Sequence, residues 1–351
     1  MESNYFAESK RQQFNKLQQL LSGLPSFCRM FFIGIEANTS ALTRLGYARD
    51  LLVFFDFLIK EIPGFQGKSI DEITINDLAN VQATHIEMFL SYLSYYKFNG
   101  KRLANNERAK SRKLSSVRSL FKYLYNKDLL PRDVSVKVRT PKLHEKEIIR
   151  LDENEIGSML DNLDGANFPS QRQNVYNRHI KSRDNAIITL MLSTGIRISE
   201  CAGLNLSDID LDNNSFIVTR KGGSRSILYF SQETSEALSN YIDEREAKLT
   251  SMGQKTEGPL FLSLQNNRLG VRAIQNIVKK YAVISAPLKN ISPHKLRSTY
   301  GTQLYRSTKD IYVVAEVLGH KDINTTKKHY AAISEDIKKE ASNKVILRKQ
   351  K

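Results

Sequence analysis

The stretch RDNAIITLMLSTGIRISE, residues 183–200, decides the fold of the second half of the chain. Residues 183–194 are strongly apolar, which predicts a buried helix, and Gly195 supplies the backbone conformation that ends it. Arg197 follows this stop. A guanidinium that leaves a tight turn beside a buried helix is well placed to hold a phosphate through two parallel hydrogen bonds. The alternative is a surface arginine that only caps the turn.

The sequence around this helix predicts a mainly helical domain with a small antiparallel sheet. Two β-rich runs, Phe216–Arg220 and Arg225–Phe230, flank a glycine pair and predict a hairpin. Asp152, followed three residues later by Glu155, is a capping box that opens the domain with a helix. Helical spacing of apolar residues returns at Gln232–Leu249, Arg272–Ala282, His294–Tyr305 and Ile311–Leu318.

The sequence of the first half of the chain predicts helices throughout, with no strand before residue 150. Apolar residues repeat at helical spacing in Ala41–Leu58, Ile75–Tyr95 and Ala109–Tyr125. In the third helix the core positions alternate with basic residues, so that one face packs and the other is basic. The basic residues of this helix and its approach include Arg108, Lys110, Arg112, Lys113, Arg118 and Lys122.

A polar, extended stretch separates the two halves. Residues 127–150 contain Pro131 and Pro141 and have the mixed charge that is typical of a linker. We therefore predict an N-terminal extension (1–30), a helical domain (31–140), a linker (141–150), a second domain (151–335) and a C-terminal helix or tail (336–351).

The composition restricts the class of partner and the chemistry. The chain has 53 Lys and Arg against 37 Asp and Glu, a net charge of +16, which favours a nucleic acid or a membrane surface. No stretch approaches the roughly 18 apolar residues of a membrane span, so we expect a cytoplasmic protein, nucleoid-associated when bound to DNA. Cys28 and Cys201 form no CxxC pair and are predicted to be buried thiols. The histidines lack metal-ligand spacing, so no metal or other cofactor is expected.

Five further side chains suit phosphodiester chemistry, which needs a nucleophile, fixed cations and an acid for the departing 5′ oxygen. Lys221 lies at the predicted hairpin tip and is a candidate acid, although most hairpin lysines are only solvated. His294 and Arg297 share one face of a helix, but the pattern HxxR alone is weak evidence. His320 follows a helix end, where it either reaches into a site or caps carbonyls. Tyr330 offers a phenol nucleophile, although most tyrosines serve in cores or interfaces.

The order of these motifs is more specific than any one of them. An arginine, a lysine on a glycine hairpin, HxxR, LGH and a tyrosine near the end together resemble the tyrosine recombinase (lambda-integrase) family. The resemblance is greatest to its Xer-like and mobile-element members. Residues 35–135 resemble the helical core-binding domain, whose basic helix lies against DNA, and residues 150–340 resemble the catalytic domain. The implied fold is mainly α, with a small antiparallel β-sheet in the catalytic domain, as in DNA breaking-rejoining enzymes.

The resemblance implies a role for each candidate. The two arginines would hold the scissile phosphate, with the histidine of HxxR assisting them. The lysine would protonate the departing 5′ oxygen, and the histidine of LGH would hydrogen-bond a phosphate oxygen. The tyrosine would form a 3′ phosphotyrosyl bond, which conserves the energy of the broken phosphodiester, so neither ATP nor metal is needed. The implied catalytic set is Arg197, Lys221, His294, Arg297, His320 and Tyr330.

The spacing at the end of the chain departs from the Xer-like pattern. In those relatives the tyrosine lies nine residues after the histidine of LGH, whereas here that position is His329 and Tyr330 is the tenth. Some mobile-element integrases share this spacing. No other tyrosine follows His320, so Tyr330 is the nucleophile candidate, and His329 is interpreted as structural.

The resemblance also implies partners. Duplex DNA with recombination core sites would bind two protomers per site, and four would form the synaptic complex, a homotetramer built from a chain that is a monomer in free solution. An accessory directionality factor is a further possible partner. Ser334–Asn343 resembles the helix that such enzymes donate to a neighbouring protomer, with Ile337 and Ala341 as buried positions. A free-standing surface helix is the alternative.

Three functions are compatible with these residues. The first is a site-specific recombinase, serving either integration and excision of a mobile element or Xer-type chromosome dimer resolution. The second is a topoisomerase of the phosphotyrosine type, and the third is an inactive DNA-binding regulator. The helical core-binding segment favours the first, and the intact residue set opposes the third. Compared with a minimal Xer enzyme, the chain has additional N-terminal residues. This length and the spacing from His320 to Tyr330 favour a mobile-element integrase.

Overall fold

The computed structural model describes residues 4–143, 149–165, 180–220, 223–320 and 323. They belong to two compact units, Met1–Lys146 and Glu147–Lys351. Across these described ranges, no helix combines the length and the apolar character that a membrane crossing requires.

The first unit is built around one central helix. This helix, α3, packs against α1, α5 and α6. Ser40 begins it by accepting a hydrogen bond from the main-chain N–H of Thr43, and its phenylalanines at 54, 55 and 57 are fully buried. The elements are α1 Asn4–Leu21, α2 Cys28–Gly34, α3 Ala41–Glu61, α4 Ile75–Ala79, α5 Ala83–Tyr92, β1 Tyr96–Phe98, β2 Lys101–Leu103 and α6 Glu107–Tyr125.

Two predictions for this unit need correction. The single helix expected over Ile75–Tyr95 is divided into α4 and α5, because a second helix start at Gln82 is capped by the ring nitrogen of His85. The prediction that no strand precedes residue 150 is wrong, since β1 and β2 pair as an antiparallel hairpin. Its turn residues, Asn99 and Gly100, have φ values of 47° and 77°, as the two-residue Asn-Gly turn requires. Strands of three residues are too short for apolar alternation to indicate them.

A buried carboxylate fastens the basic helix α6 to α3. Asp50 is 2% exposed and accepts hydrogen bonds from Arg112 Nη1 at 2.5 Å and from Ser116 Oγ at 2.9 Å. Lys113 Nζ lies 3.7 Å from the other carboxylate oxygen. Burial raises the pKa of Asp50 and lowers that of Lys113, while the pairing opposes both shifts. Lys113 therefore supports the helical unit from inside, and the structure does not place it on the basic surface where it was expected.

We expect Asp50→Asn to lower the free energy of unfolding by about 3 to 5 kcal/mol, because the buried Lys113 then loses its counter-ion and keeps only a hydrogen bond to Asn105 Oδ1. Asp56→Asn is the matched control on the same helix. It removes a 2.7 Å pair with the 44% exposed Lys60 and should cost no more than about 0.5 kcal/mol. Urea unfolding followed by circular dichroism measures both variants. Equal losses would contradict the structural role of Asp50.

The second unit arranges helices around one buried helix and a three-stranded antiparallel sheet. The buried helix, α8, packs against α7, α10 and α12. The sheet has the order β3-β4-β5, with Phe216 opposite Leu228. The described elements are α7 Glu153–Gly165, α8 Lys181–Thr194, α9 Ile198–Gly203, β3 Ile209–Asp210, β4 Ser215–Thr219, β5 Arg225–Tyr229, α10 Gln232–Ser251, α11 Val271–Ser285, α12 Pro293–Thr308 and α13 Ile311–Leu318.

Several local predictions for this unit are confirmed. The capping box is reciprocal, since Asp152 N donates to Glu155 Oε2 at 2.8 Å and Glu155 N donates to Asp152 Oδ1 at 2.9 Å. The hairpin pairs as predicted, and β3 adds a third strand to it. Cys201 here and Cys28 in the first unit are both buried thiols, and burial raises the pKa of each.

Candidate active site

Three arginines of the second unit converge on the C-terminal end of α13. Arg197 is the residue before α9, Arg220 follows β4, and Arg297 lies in the second turn of α12. The described chain therefore brings both predicted phosphate-binding arginines to one place, together with a third that the sequence analysis did not select.

The turn after α8 allows this approach. Gly195 has a φ of 60°, the left-handed conformation predicted from the sequence, and its N–H donates to Met191 O. A Cβ at this position would lie 2.5 Å from Tyr300 Cδ1 and 2.9 Å from Leu318 Cδ2. Glycine is therefore required both for the backbone conformation and for the contact with α12 and α13.

Gly195→Ala is expected to cost about 2 to 4 kcal/mol of unfolding free energy, from left-handed strain and overpacking together. Gly253→Ala is the control, because Gly253 has a similar φ of 66° but no heavy atom within 4 Å of the added Cβ. It should cost about 1 kcal/mol. Urea unfolding of the two variants separates strain from packing, and similar losses would show that the contact with Tyr300 and Leu318 is unimportant.

The end of α13 forms a Schellman motif at LGH. Gly319 has a φ of 60°, its N–H donates to Glu316 O at 2.8 Å, and His320 N donates to Ala315 O at 2.9 Å. These two bonds satisfy two of the carbonyl groups that every helix end leaves without helical partners. The main chain of His320 is thereby held in a defined position.

The next three carbonyl groups each accept a hydrogen bond from a different guanidinium. Cations are favourable at this end of a helix because the aligned peptide dipoles make it negative. The side chains belong to distant parts of the chain, so three separate segments hold the turn. The carbonyls of Val317, Leu318 and Gly319 accept from Arg220 Nη2 at 3.1 Å, from Arg297 Nη2 and from Arg197 Nη2 at 2.8 Å, respectively.

A buried glutamate orients two of these arginines. Glu200 is 4% exposed and accepts from Arg197 N at 3.1 Å, from Arg197 Nη1 at 2.9 Å and from Arg220 Nη1 at 3.3 Å. Burial lowers the pKa of Arg220, and the charge of Glu200 opposes this shift. Neither Glu200 nor Arg220 was among the residues predicted from the sequence. The one available signal was a glutamate three residues after Arg197, the position from which a carboxylate reaches back to a helix start.

The three guanidinium groups differ in their access to solvent. The side chain of Arg197 keeps 32% of its exposure, against 9% for Arg220. Arg297 is 5% exposed and also donates to Gly195 O at 2.6 Å, so it joins the turn after α8 to the turn after α13. A guanidinium has five N–H donors, so these two bonds alone do not exhaust it. Preorganised cations of this kind stabilise negative charge that develops on a phosphate.

The other predicted catalytic residues differ in what the structure says of them. His294 is exposed in the first turn of α12, three residues before Arg297, and His320 is partly buried. Lys221, Tyr330 and His329 lie outside the described residues, as does Ser334–Asn343. In the part of the chain that is described, no three His, Cys, Asp or Glu side chains form a group that could hold a metal ion.

The basic helix α6 presents only part of its predicted set to solvent. Arg108 and Lys122 are exposed, and Arg112 is exposed while it pairs with Asp50. Lys110 is partly buried and donates to Ser94 Oγ at 2.8 Å.

Arg118 has a bonded position on the same helix. It donates to Thr140 Oγ1 at 2.8 Å, to Ser135 O at 3.4 Å and to Val138 O. It therefore holds the segment that follows α6 against the helix.

Two family matches cover most of the chain. Residues 150–336 match the Phage integrase family, and residues 30–128 match the Phage integrase, N-terminal SAM-like domain. The first match contains the three converging arginines, and the second contains α6.

Curated relatives extend over nearly the whole sequence. The chain is 32% identical over 321 residues to tyrosine recombinase XerC of Caldanaerobacter subterraneus subsp. tengcongensis, which covers 90% of this chain and 84% of the relative. It is also 32% identical over 306 residues to tyrosine recombinase XerC of Syntrophus aciditrophicus, covering 86% of this chain and 91% of the relative.

Solved structures share the fold at low sequence identity. The XerH site-specific recombinase bound to a palindromic difH substrate matches with a TM-score of 0.66 and 19% identity, covering 87% of this chain and 80% of that one. The Tn1549 transposon integrase in complex with circular intermediate DNA matches with a TM-score of 0.60 and 19% identity, covering 87% of this chain and 95% of that one. With its motifs, its fold and its relatives in agreement, the chain belongs to the phage integrase family and is a tyrosine-type site-specific DNA recombinase.

Proposed function

We propose that this recombinase cleaves each DNA strand by attack of the Tyr330 phenol on the scissile phosphate, and that it integrates and excises a mobile element. The observation that carries the cleavage mechanism is the convergence of Arg197 and Arg297 on the turn that precedes His320. Two fixed guanidinium groups beside a histidine suit a phosphate whose negative charge increases in the transition state.

The first half-reaction exchanges one phosphoester for another. The oxygen of Tyr330 bonds to phosphorus, the bond to the 5′ oxygen breaks, and Lys221 supplies the proton for that oxygen. Arg197 and Arg297 hold the nonbridging oxygens through charge-assisted hydrogen bonds. The reverse chemistry with the 5′ hydroxyl of another strand completes the exchange without ATP.

The two histidines complete the proposed site. His294 lies one helical turn before Arg297 and assists at the same phosphate. His320 donates a hydrogen bond to a phosphate oxygen, and its main chain is held by the Schellman turn. These roles follow from the family resemblance together with the placement of the two residues.

DNA binding is assigned to the basic surface of the first unit. Exposed and partly exposed cations on α6 contact the DNA backbone, where phosphate contacts dominate affinity. The solved XerH and Tn1549 structures are DNA complexes, which supports DNA binding by this chain. The proposed contacts are Arg108, Lys110, Arg112 and Lys122.

The proposed assembly has two protomers on each core site and four in the synapse, formed from a monomer. Ser334–Asn343 is the segment donated to the neighbouring protomer, with Ile337 and Ala341 buried there. A directionality factor selects excision over integration. The complex forms in the cytoplasm on nucleoid DNA.

Chromosome dimer resolution is the second candidate role. The XerC relatives favour it, whereas the ten-residue sequence spacing from His320 to Tyr330 favours a mobile-element integrase. Deleting the gene distinguishes the two roles. Loss of the PCR product across joined element ends supports integration and excision of a mobile element. Accumulation of dimeric chromosomes supports chromosome dimer resolution.

The direct test uses a labelled, nicked suicide substrate made from the DNA that flanks the gene. After incubation with the full chain, a denaturing gel should show DNA covalently attached to protein. Supercoiled plasmid without the site is the comparison substrate. Adduct only on the flanking DNA supports site-specific cleavage, whereas relaxation of the plasmid would indicate a topoisomerase. Specific binding without adduct would oppose the proposed chemistry.

A further inference from the structure

The β1–β2 hairpin of the first unit carries a pair of like charges that face each other. Lys97 lies directly opposite Arg102 in the strand register, and both side chains are exposed. Directly opposed cations on a strand pair are destabilising unless an anion lies between them. Neither has an ion-pair partner within the described part of the chain.

The hairpin holds these cations in a fixed position. The Asn99–Gly100 turn sets the strand register, and the alternate residue Tyr96 is buried against the core of the unit. Lys97 O accepts from Lys60 Nζ at 3.4 Å and from Tyr92 OH at 3.5 Å, which joins β1 to α3 and α5. Lys101, beside the turn, adds a third exposed cation.

We propose that this hairpin is a DNA phosphate-binding ribbon, with Lys97 and Arg102 holding one phosphate group between them. Their Cβ atoms are about 5 Å apart by strand geometry, so both side chains can reach the same phosphate. This proposal rests on the proposed DNA-binding function and adds an element that the helical face of α6 does not include.

The test is the salt dependence of binding to the flanking DNA. Lys97→Ala/Arg102→Ala should lower the affinity at least about 10-fold and reduce the slope of log K against log salt by about 1, because one phosphate contact is lost. Arg11→Ala/Lys16→Ala on α1 is the control, because it removes one exposed arginine and one exposed lysine and should change neither quantity.

An unchanged slope in the hairpin variant, with a normal covalent adduct in the wild type, would overturn this proposal alone. Absence of adduct in the wild type would instead count against the proposed function. A loss of affinity without any change in the salt dependence would indicate a distorted domain, and it would also contradict the proposal that the hairpin binds a phosphate.

A separate observation concerns Arg220, which closes the loop that contains Lys221. Its N–H donates to Ser224 O at 2.7 Å, and its carbonyl accepts from Gly223 N at 3.0 Å. Its side chain is bound to Glu200 and to Val317 O. One residue thus joins the start of this loop to the site of Arg197 and to the turn before His320.

Packing limits where the guanidinium of Arg220 can lie. A Cβ on Gly319 would lie 3.0 Å from Arg220 Cζ and 3.2 Å from its Nε, so the group rests on the glycine backbone. Lys221, the proposed general acid, is the next residue in the chain.

We infer that Arg220 is a positioning residue for the general acid. This inference rests on the proposed role of Lys221. Arg220→Ala should slow single-turnover cleavage about 100-fold, the lower range for loss of a general acid. A substrate with sulfur in place of the leaving 5′ oxygen should restore the rate to within about threefold of wild type, because a thiol of pKa about 8.5 leaves without a proton donor.

Two further variants keep the test decisive. Arg220→Lys retains the charge beside Glu200, is expected to fold, and should show a smaller defect that sulfur also rescues. Lys221→Ala should behave like Arg220→Ala, and failure of sulfur to rescue Lys221→Ala would refute the proposed acid. Rescue of Lys221→Ala without rescue of either Arg220 variant would refute the positioning role alone.

Discussion

Replacing Tyr330 by phenylalanine is expected to abolish the covalent DNA adduct and to leave DNA binding intact. The change removes one oxygen, the proposed nucleophile, so cleavage should fall by about four orders of magnitude or more. Phenol has a reference pKa of about 10, and surrounding cations are needed for attack at neutral pH. Single-turnover cleavage of the suicide substrate and a gel-shift assay measure the two properties.

Tyr312→Phe is the matched control for this prediction. Tyr312 belongs to α13 in the same unit and is 72% exposed, and it has no proposed role in the reaction. Its variant should form adduct at the wild-type rate. A covalent adduct that still forms with Tyr330→Phe would contradict the assignment of Tyr330 as the nucleophile.

Arg297→Ala is expected to damage both catalysis and stability. Loss of one preorganised donor at the phosphate should slow cleavage about 100- to 1,000-fold. The substitution also leaves Gly195 O and Leu318 O without the donor that they share, at about 1 to 3 kcal/mol for each buried carbonyl. Single-turnover cleavage and urea unfolding measure these effects separately.

Arg197→Ala provides the comparison for Arg297→Ala. Arg197 has a partly exposed side chain, so its loss should slow cleavage to a similar degree with a smaller loss of stability. A fully stable Arg297→Ala would contradict the bridging role of this arginine. Normal cleavage by either variant would contradict the proposed phosphate clamp.

Local signals in the sequence predicted much of the fold. The apolar helix before Gly195, the Asp152 capping box and the glycine hairpin each depend on neighbours within a few residues, and all three are present. The Asn99–Gly100 turn is an equally local signal for the β1–β2 hairpin, but the spacing of apolar residues alone does not reveal it.

Long-range contacts were beyond the reach of such signals. Arg197 and Gly319 are 122 residues apart, and Arg297 and Gly195 are 102 apart, so no periodicity relates them. Lys113 is part of the basic pattern of α6 in the sequence, but in the structure it is buried and pairs with Asp50 of α3. Nothing in the sequence distinguishes Glu200 from acidic residues on the surface, because its partner Arg220 is brought beside it only by the fold.

The sequence by itself determined the helices, the hairpin in the second unit and the order of motifs that identifies the family, because these follow from nearest-neighbour chemistry. Only the tertiary structure decided which cations face solvent and which are committed to carbonyls or carboxylates. The physical reason is that a charge is buried only where the fold supplies its partner, and that partner is chosen by packing rather than by position in the chain.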